Sequence, residues 1–278
     1  VEDDAFDLTA ALEAAAFVER GDIWTVGRHR LVCGDATNAG DIELLMDGKK
    51  ANLVLTDPPY NVAFESSDGL SIKNDKMSAD AFYEFLLAAF TQMAGVCEKG
   101  ASAYVFHADT EGLNFRRAFQ DAGFKLSGCC IWVKDSLVLG RSPYQWQHEP
   151  VLYGWVKTGK HTWYADRKQT TVWRFDKPRR NADHPTSKPL DLLAYPIGNS
   201  TQANAIVLDT FAGSGSTLMA CEATNRIAYC MELDEKYASV ILRRYADATG
   251  DAAGITCLRD GQQLAYLDVV KAVDRGKK

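Results

Sequence analysis

No stretch of this 278-residue chain approaches the roughly 18 consecutive apolar residues that a membrane-spanning helix needs. No basic segment leads into an apolar run near the start, so a secretory signal is not expected. The seven cysteines are odd in number and contain no C-x-x-C pair, which argues against a disulfide framework or a zinc site and for reduced thiols in the cytoplasm. Positive charge is also short. Lys and Arg number 31 against 37 Asp and Glu, and the net charge of −6 offers no overall attraction to a polyanion. No internal repeat marks a solenoid.

What is present is an ordinary globular balance, 46% apolar and 24% charged residues, with the charge unevenly placed. Seven acids (Glu2, Asp3, Asp4, Asp7, Glu13, Glu19, Asp22) face only Arg20 within residues 1–22, so the whole deficit lies there. That segment is expected as an acidic, marginally helical arm ahead of one domain over 23–278. Within the domain, short apolar runs alternate with helical patterns. Ile23–Val26 and Leu31–Cys33 read as a hairpin, and strands are expected at 52–56, 103–106, 125–133, 150–155, 205–209 and 227–231. Ser78 and Asp234 are expected to cap helices, and Gly250 to stop one. Alternation of this kind implies an α/β fold with a mainly parallel sheet.

Two segments carry chemistry. In Val207–Thr217 a buried strand ending at Asp209 enters the turn Thr210-Phe211-Ala212-Gly213-Ser214-Gly215, followed by Ser216 and Thr217 at a helix start. Glycines there let a ligand approach the backbone at the carboxyl end of a parallel strand, where open α/β sheets bind nucleotides. A phosphate loop would place a lysine before the Ser/Thr, and a dinucleotide fingerprint a third glycine where Leu218 stands, so neither phosphate reading fits. Glu232, at the tip of the next strand, suits a ribose. A glycine turn with a ribose-gripping acid and no phosphate site points to S-adenosylmethionine.

The second segment is Asp57-Pro58-Pro59-Tyr60, which stops the strand 52–56 and therefore sits at its tip. The prolines stiffen the backbone and leave its carbonyls free to accept, Asp57 supplies a carboxylate, and Tyr60 a flat face. Carboxylate and carbonyl suit the two N–H bonds of an exocyclic amino group while the ring stacks on its heterocycle.

These segments resemble the amino-methylating DNA methyltransferases, with Asp57-Pro58-Pro59-Tyr60 as the catalytic motif and Phe211-Ala212-Gly213-Ser214-Gly215 as the S-adenosylmethionine motif. The catalytic motif comes first, which is the order of the β group. The resemblance spans about residues 25–250 and adds Asp35 and Ala36 near the cofactor adenine. It also places Thr186, Ser187 and Lys188, within the motif starting at His184, at the methionine end. It departs at Thr210, where proline is usual, and at Ser216, where threonine is frequent. It implies a Rossmann-like methyltransferase fold with a seven-stranded, mainly parallel sheet, an antiparallel hairpin at one edge and a circularly permuted motif order. It also implies base flipping, no metal, a bacterial or phage setting such as restriction–modification, and possible homodimers. Asp at position 57 leans toward adenine N6 as acceptor. Cytosine N4, or an inactive S-adenosylmethionine-binding protein, remains open.

DNA needs cations, and they cluster. Lys157, Lys160, Arg167, Lys168, Arg174, Lys177, Arg179 and Arg180 oppose only Asp166 and Asp176, and five of the six tryptophans lie in or just before this stretch. Residues 157–183 are therefore expected as a small DNA-recognition insertion, and the loop 61–75 as a cover for the flipped base.

Overall fold

The computed structural model describes residues 4, 6–62, 76–139, 143–176 and 188–275. In chain order the elements are α1 (Leu8–Glu13), β1 (Ile23–Val26), β2 (His29–Cys33), α2 (Ala39–Met46), β3 (Ala51–Thr56), α3 (Ala79–Gly95), β4 (Cys97–Phe106) and α4 (Gly112–Asp121). The hairpin β5 (Phe124–Val138) and β6 (Trp146–Val156) follows, then β7 (Val172–Arg174), α5 (Leu190–Ser200), β8 (Ile206–Asp209), α6 (Ser216–Ala223) and β9 (Ile227–Glu232). The chain closes with α7 (Glu235–Thr249), β10 (Ile255–Arg259), β11 (Gln262–Ala265) and α8 (Tyr266–Arg275).

Among the described residues all strands join one sheet in the order β11-β10-β1-β2-β9-β8-β3-β4-β6-β5-β7. The seven from β2 to β5 form the expected core, in which β6 alone runs against the others. The sheet is larger than the seven strands expected. β1, β10 and β11 extend one edge and β7 the other, and β7, β10 and β11 are short strands of mixed burial with no continuous apolar run to announce them.

Strand alternation divides the core. Leu53 and Leu55 of β3 face one cluster with residues of α5, α6, α7 and α8, while Val54 faces another with residues of α2, α3 and α4. The layers are thus helix, sheet, helix. The expected helix ends form as the chemistry requires: Ser78 accepts from the Ala81 amide, Asp234 from those of Lys236 and Tyr237, and Gly250 closes α7 at φ 70°.

The segment expected as an acidic arm packs on this body. Leu8, Ala11 and Leu12 bury against Val240 of α7, and Phe17 and Val18 enter the main core. A six-residue helix is too short to hold itself, so this apolar face stabilises it. Its acids find partners: Asp4 pairs with Arg244, and Glu19 and Asp22 with Arg259.

The seven cysteines are free thiols, and burial pushes Cys33, Cys97, Cys130 and Cys257 up to about 12. Among the described residues no helix is long and apolar enough to cross a membrane, and no three His, Cys, Asp or Glu side chains are placed to hold a metal ion.

Candidate active site

β3 and β8 are parallel neighbours, Leu53 opposite Val207 and Val54 opposite Leu208. The chain leaves them in opposite directions across the sheet, from β3 to β4 and from β8 to β9. That reversal opens a crevice at the carboxyl ends of the strands. The Thr56 hydroxyl donates to Asp209 Oδ1 at 2.8 Å and ties the two tips together across 153 residues of sequence. Asp57 therefore stands beside the glycine turn.

At the β3 tip, Asp57 and Tyr60 belong to a cluster of ionic side chains. Lys188 Nζ lies 2.5 Å from Asp57 Oδ2 and 2.9 Å from Glu149 Oε1, and Lys134 Nζ lies 3.0 Å from Glu149 Oε2. The Tyr60 hydroxyl reaches both Asp57 Oδ1 and Glu149 Oε1, the latter at 2.7 Å, and its single proton serves one of them at a time. The Tyr60 ring meets Phe115 edge to face at 6.4 Å, so both ends of the side chain are held. Two carboxylates and two ammonium groups balance. Burial alone would raise Glu149, but the Lys188 and Lys134 ammonium groups overcome it and hold the carboxyl at about 2. Burial raises Asp57, against the pull of Lys188.

The glycine turn is pinned from several sides. Gly213 at φ 52° and Gly215 at φ 83° adopt left-handed conformations that favour glycine. A Cβ on Gly215 would stand 3.1 Å from the Ile241 side chain. The Gly213 amide donates to Glu232 Oε2 at 2.8 Å, the Asp234 amide to Glu232 Oε1 at 2.9 Å, and the Ala212 amide to the Met231 carbonyl at 3.0 Å. Glu232 keeps a lone pair on each oxygen for another donor, and burial pushes it to about 7. Buried Asp209 rises to about 6 for the same reason, although it accepts from Thr56 and from the Phe211 amide. Ser214, Ser216 and Thr217 are buried behind the turn.

On the far side β2 lies parallel to β9, Cys33 opposite Glu232, and the Gly34 amide donates to the Glu232 carbonyl at 3.0 Å. Asp35 and buried Ala36 follow, with the Asp35 carboxylate accepting from the Thr37 amide and hydroxyl. Asp35, Glu232, the glycine turn and Asp57 thus sit on four adjacent strand tips, a row of about 14 Å at the usual strand spacing.

Of the residues expected at the methionine end, Lys188 joins the ionic cluster around Asp57, while Thr186 and Ser187 lie outside the described residues, as do Lys177, Arg179, Arg180 and most of the loop 61–75. Asn61 closes the described base of that loop, exchanging two hydrogen bonds with the Met77 backbone.

The expected DNA-binding cations do not gather in one place. β6 begins at the active-site end, near Glu149, and runs away from it. Lys157 follows eight residues beyond Glu149, roughly 26 Å along a strand, where its ammonium group caps the Gln120 carbonyl. Lys160 packs its backbone on Gly100, at the same remote end of β4. Arg174 pairs in register with Val133 at the active-site end, and Arg167 and Lys168 are exposed in the turn between. Glu149, the partner of Tyr60 and Lys188, was not legible from sequence. Its only signal is a carboxylate bordering the apolar run from Pro150.

A family model described as DNA methylase, of the N6/N4 methyltransferase type, matches residues 51–243, from β3 to α7. YubD, a methylase-family protein of Escherichia coli (strain K12), is 30% identical over 208 residues, 75% of this chain and 86% of its own. The DNA adenine methyltransferase YhdJ of the same strain is 28% identical over 229 residues, 70% of this chain and 76% of that relative. Two solved structures share the fold. The M1.HpyAVI–SAM complex aligns at a TM-score of 0.57 and 22% identity over 77% of this chain and 98% of that one. PvuII DNA methyltransferase (cytosine-N4-specific) aligns at 0.62 and 15% over 89% and 94%. The chain belongs to the N6/N4 DNA methylase family.

Proposed function

We propose that this protein transfers the methyl group of S-adenosylmethionine to adenine N6 in DNA, acting on a base flipped out of the duplex. The observation that carries the reading is the cluster of Asp57, Tyr60, Glu149 and Lys188 at the tip next to the glycine turn. The residues fit the cofactor: Glu232 has acceptor capacity for ribose hydroxyls, and the turn holds no lysine that a phosphate would want. Asp35 and Ala36 would flank the adenine of the cofactor, and Phe211–Thr217 its centre. When bound, S-adenosylmethionine supplies an electrophilic methyl group on a sulfonium.

The chain's own work is on the acceptor. An exocyclic amino nitrogen is a poor nucleophile because its lone pair is delocalised into the ring. Asp57 accepts one N–H and the Pro58 carbonyl the other, which localises the lone pair and aims it at the methyl. Burial raises Asp57, and the Lys188 ammonium opposes that rise and favours the ionised form. The Tyr60 ring, fixed through its hydroxyl, stacks on the base and helps offset the few kcal/mol of flipping. No strong base is needed, because the proton becomes acidic once the nitrogen is alkylated. The products are S-adenosylhomocysteine, the methylated base and a proton. Arg174, at the active-site end, and Arg167 and Lys168 contribute phosphate contacts.

The test is transfer of labelled methyl from S-adenosylmethionine to unmodified DNA. Wild type incorporates label and Asp57→Ala does not, while that variant still binds S-adenosylhomocysteine. Incorporation by Asp57→Ala would remove Asp57 from the chemistry. Cytosine N4 is the second reading, favoured by the likeness to the PvuII enzyme.

A further inference from the structure

Behind the glycine turn lies a buried cation that the methyl-transfer chemistry does not use. Arg244 of α7 is 4% exposed. Its Nη1 donates to the Ser214 carbonyl at 3.1 Å and to the Ser216 hydroxyl at 3.1 Å. The other edge of the guanidinium grips Asp4 with two bonds, Nε to Oδ2 at 2.7 Å and Nη2 to Oδ1 at 3.0 Å. The peptide between Ser214 and Gly215 is thereby held at both ends, its carbonyl by Arg244 and its N–H by the Ala212 carbonyl at 2.8 Å.

The helix that carries Arg244 is itself a backplate for the turn. Ile241 lies three residues earlier on the same helical face and meets Gly215, so Ile241 and Arg244 clamp adjacent residues. The N-terminal segment is stitched along that helix. The amides of Phe17 and Val18 donate to Ser239 Oγ at 3.0 and 3.1 Å, Arg243 Nη2 donates to the Ala15 carbonyl at 2.5 Å, and Leu8 and Leu12 pack on Val240. Asp4 is the member of this segment that reaches, through one side chain, to the turn.

We infer that Asp4 and Arg244 are a positioning pair for the cofactor turn, so that an acid near the start of the chain sets affinity for S-adenosylmethionine. A buried guanidinium is tolerated only when paired. The planar fork of arginine serves a carboxylate on one edge and the turn on the other, a geometry lysine cannot reproduce. Without the Asp4 carboxylate the guanidinium seeks other acceptors or water, and its bond to the Ser214 carbonyl weakens. The pair bonds the turn and not Asp57, so it acts on cofactor binding and not on the transfer step. The inference rests on the assignment of Gly213–Gly215 as the cofactor turn.

Calorimetric titration with S-adenosylhomocysteine tests it, alongside steady-state kinetics. Asp4→Asn is expected to raise Kd for S-adenosylhomocysteine and KM for S-adenosylmethionine about ten-fold, equivalent to 1.4 kcal/mol. kcat at saturating cofactor and Kd for DNA stay unchanged. Asp4→Glu restores most of the affinity. Glu19→Gln, which removes an acid of the same segment paired with Arg259, leaves Kd unchanged. A lower melting temperature of Asp4→Asn with unaltered Kd would make the pair merely structural and overturn the inference. Equal weakening by Glu19→Gln would also overturn it, by assigning the effect to the charge of the segment at large. Failure of wild type to bind S-adenosylhomocysteine would instead bring down the cofactor assignment beneath it.

Discussion

Lys188 Nζ lies 2.5 Å from Asp57 Oδ2 although 131 residues separate them in sequence. In the proposed mechanism Asp57 accepts a hydrogen bond from the target amine, and Lys188 acts on its charge. Removing the ammonium in Lys188→Met leaves Asp57 and Glu149 as neighbouring carboxylates. An opposite charge at contact favours the ionised carboxylate, so its loss raises Asp57 further. The acid limb of the kcat profile then moves to higher pH. A pH–rate series on wild type and Lys188→Met checks this, and an unmoved acid limb would show that Lys188 does not govern Asp57.

Glu149 gathers Tyr60, Lys134 and Lys188 on one carboxylate. Glu149→Gln keeps the shape and removes the charge, so stability falls by about 2 kcal/mol, the scale of a lost charged hydrogen bond. The Tyr60 hydroxyl exchanges a charged acceptor for a weaker amide one, and kcat drops on the order of ten- to a hundred-fold, with KM for the cofactor unchanged. Urea unfolding and steady-state kinetics measure the two effects.

Glu232 titrates near 7 because of burial, and the sign of its effect differs between stability and binding. A raised folded pKa contributes stability that is fully present below the unfolded value of about 4.3. That contribution is lost as pH rises through about 7. Ribose hydroxyls, in contrast, are best accepted by the ionised form. S-adenosylhomocysteine affinity is therefore expected to rise with pH between 6 and 8, roughly ten-fold per unit below the pKa. Calorimetry across that range on wild type and Glu232→Gln provides the check, the variant giving a flat profile.

Cations of the stretch 157–176 divide by position. Arg174 stands at the active-site end and Lys160 at the other. Arg174→Ala is expected to reduce the slope of log K against log salt for duplex DNA by about 0.9, one phosphate contact. Lys160→Ala leaves it unaltered. Binding isotherms at several salt concentrations distinguish them.

Those cations show why part of the site was legible in sequence and part was not. The Asp57-Pro58-Pro59-Tyr60 stop and the glycine turn are local: prolines end a strand, glycines permit a turn, and strand tips follow at once. The caps at Ser78 and Asp234 are local too. Charge clustering along the chain, however, does not survive an antiparallel strand, and β6 carries Lys157 and Lys160 away from the Glu149 end. In the sequence Glu149 only borders the apolar run from Pro150, and the pairing of β6 with β4 brings it to Tyr60. The N-terminal acids looked solvated because their partners, Arg244 and Arg259, lie more than 200 residues away.

The central claim is methylation of adenine at N6. Unmodified DNA incubated with the protein and S-adenosylmethionine, then digested to nucleosides and examined by mass spectrometry, tests it most directly. The account predicts N6-methyladenine, absent with Asp57→Ala. N4-methylcytosine in its place, or no methylated base, would contradict it.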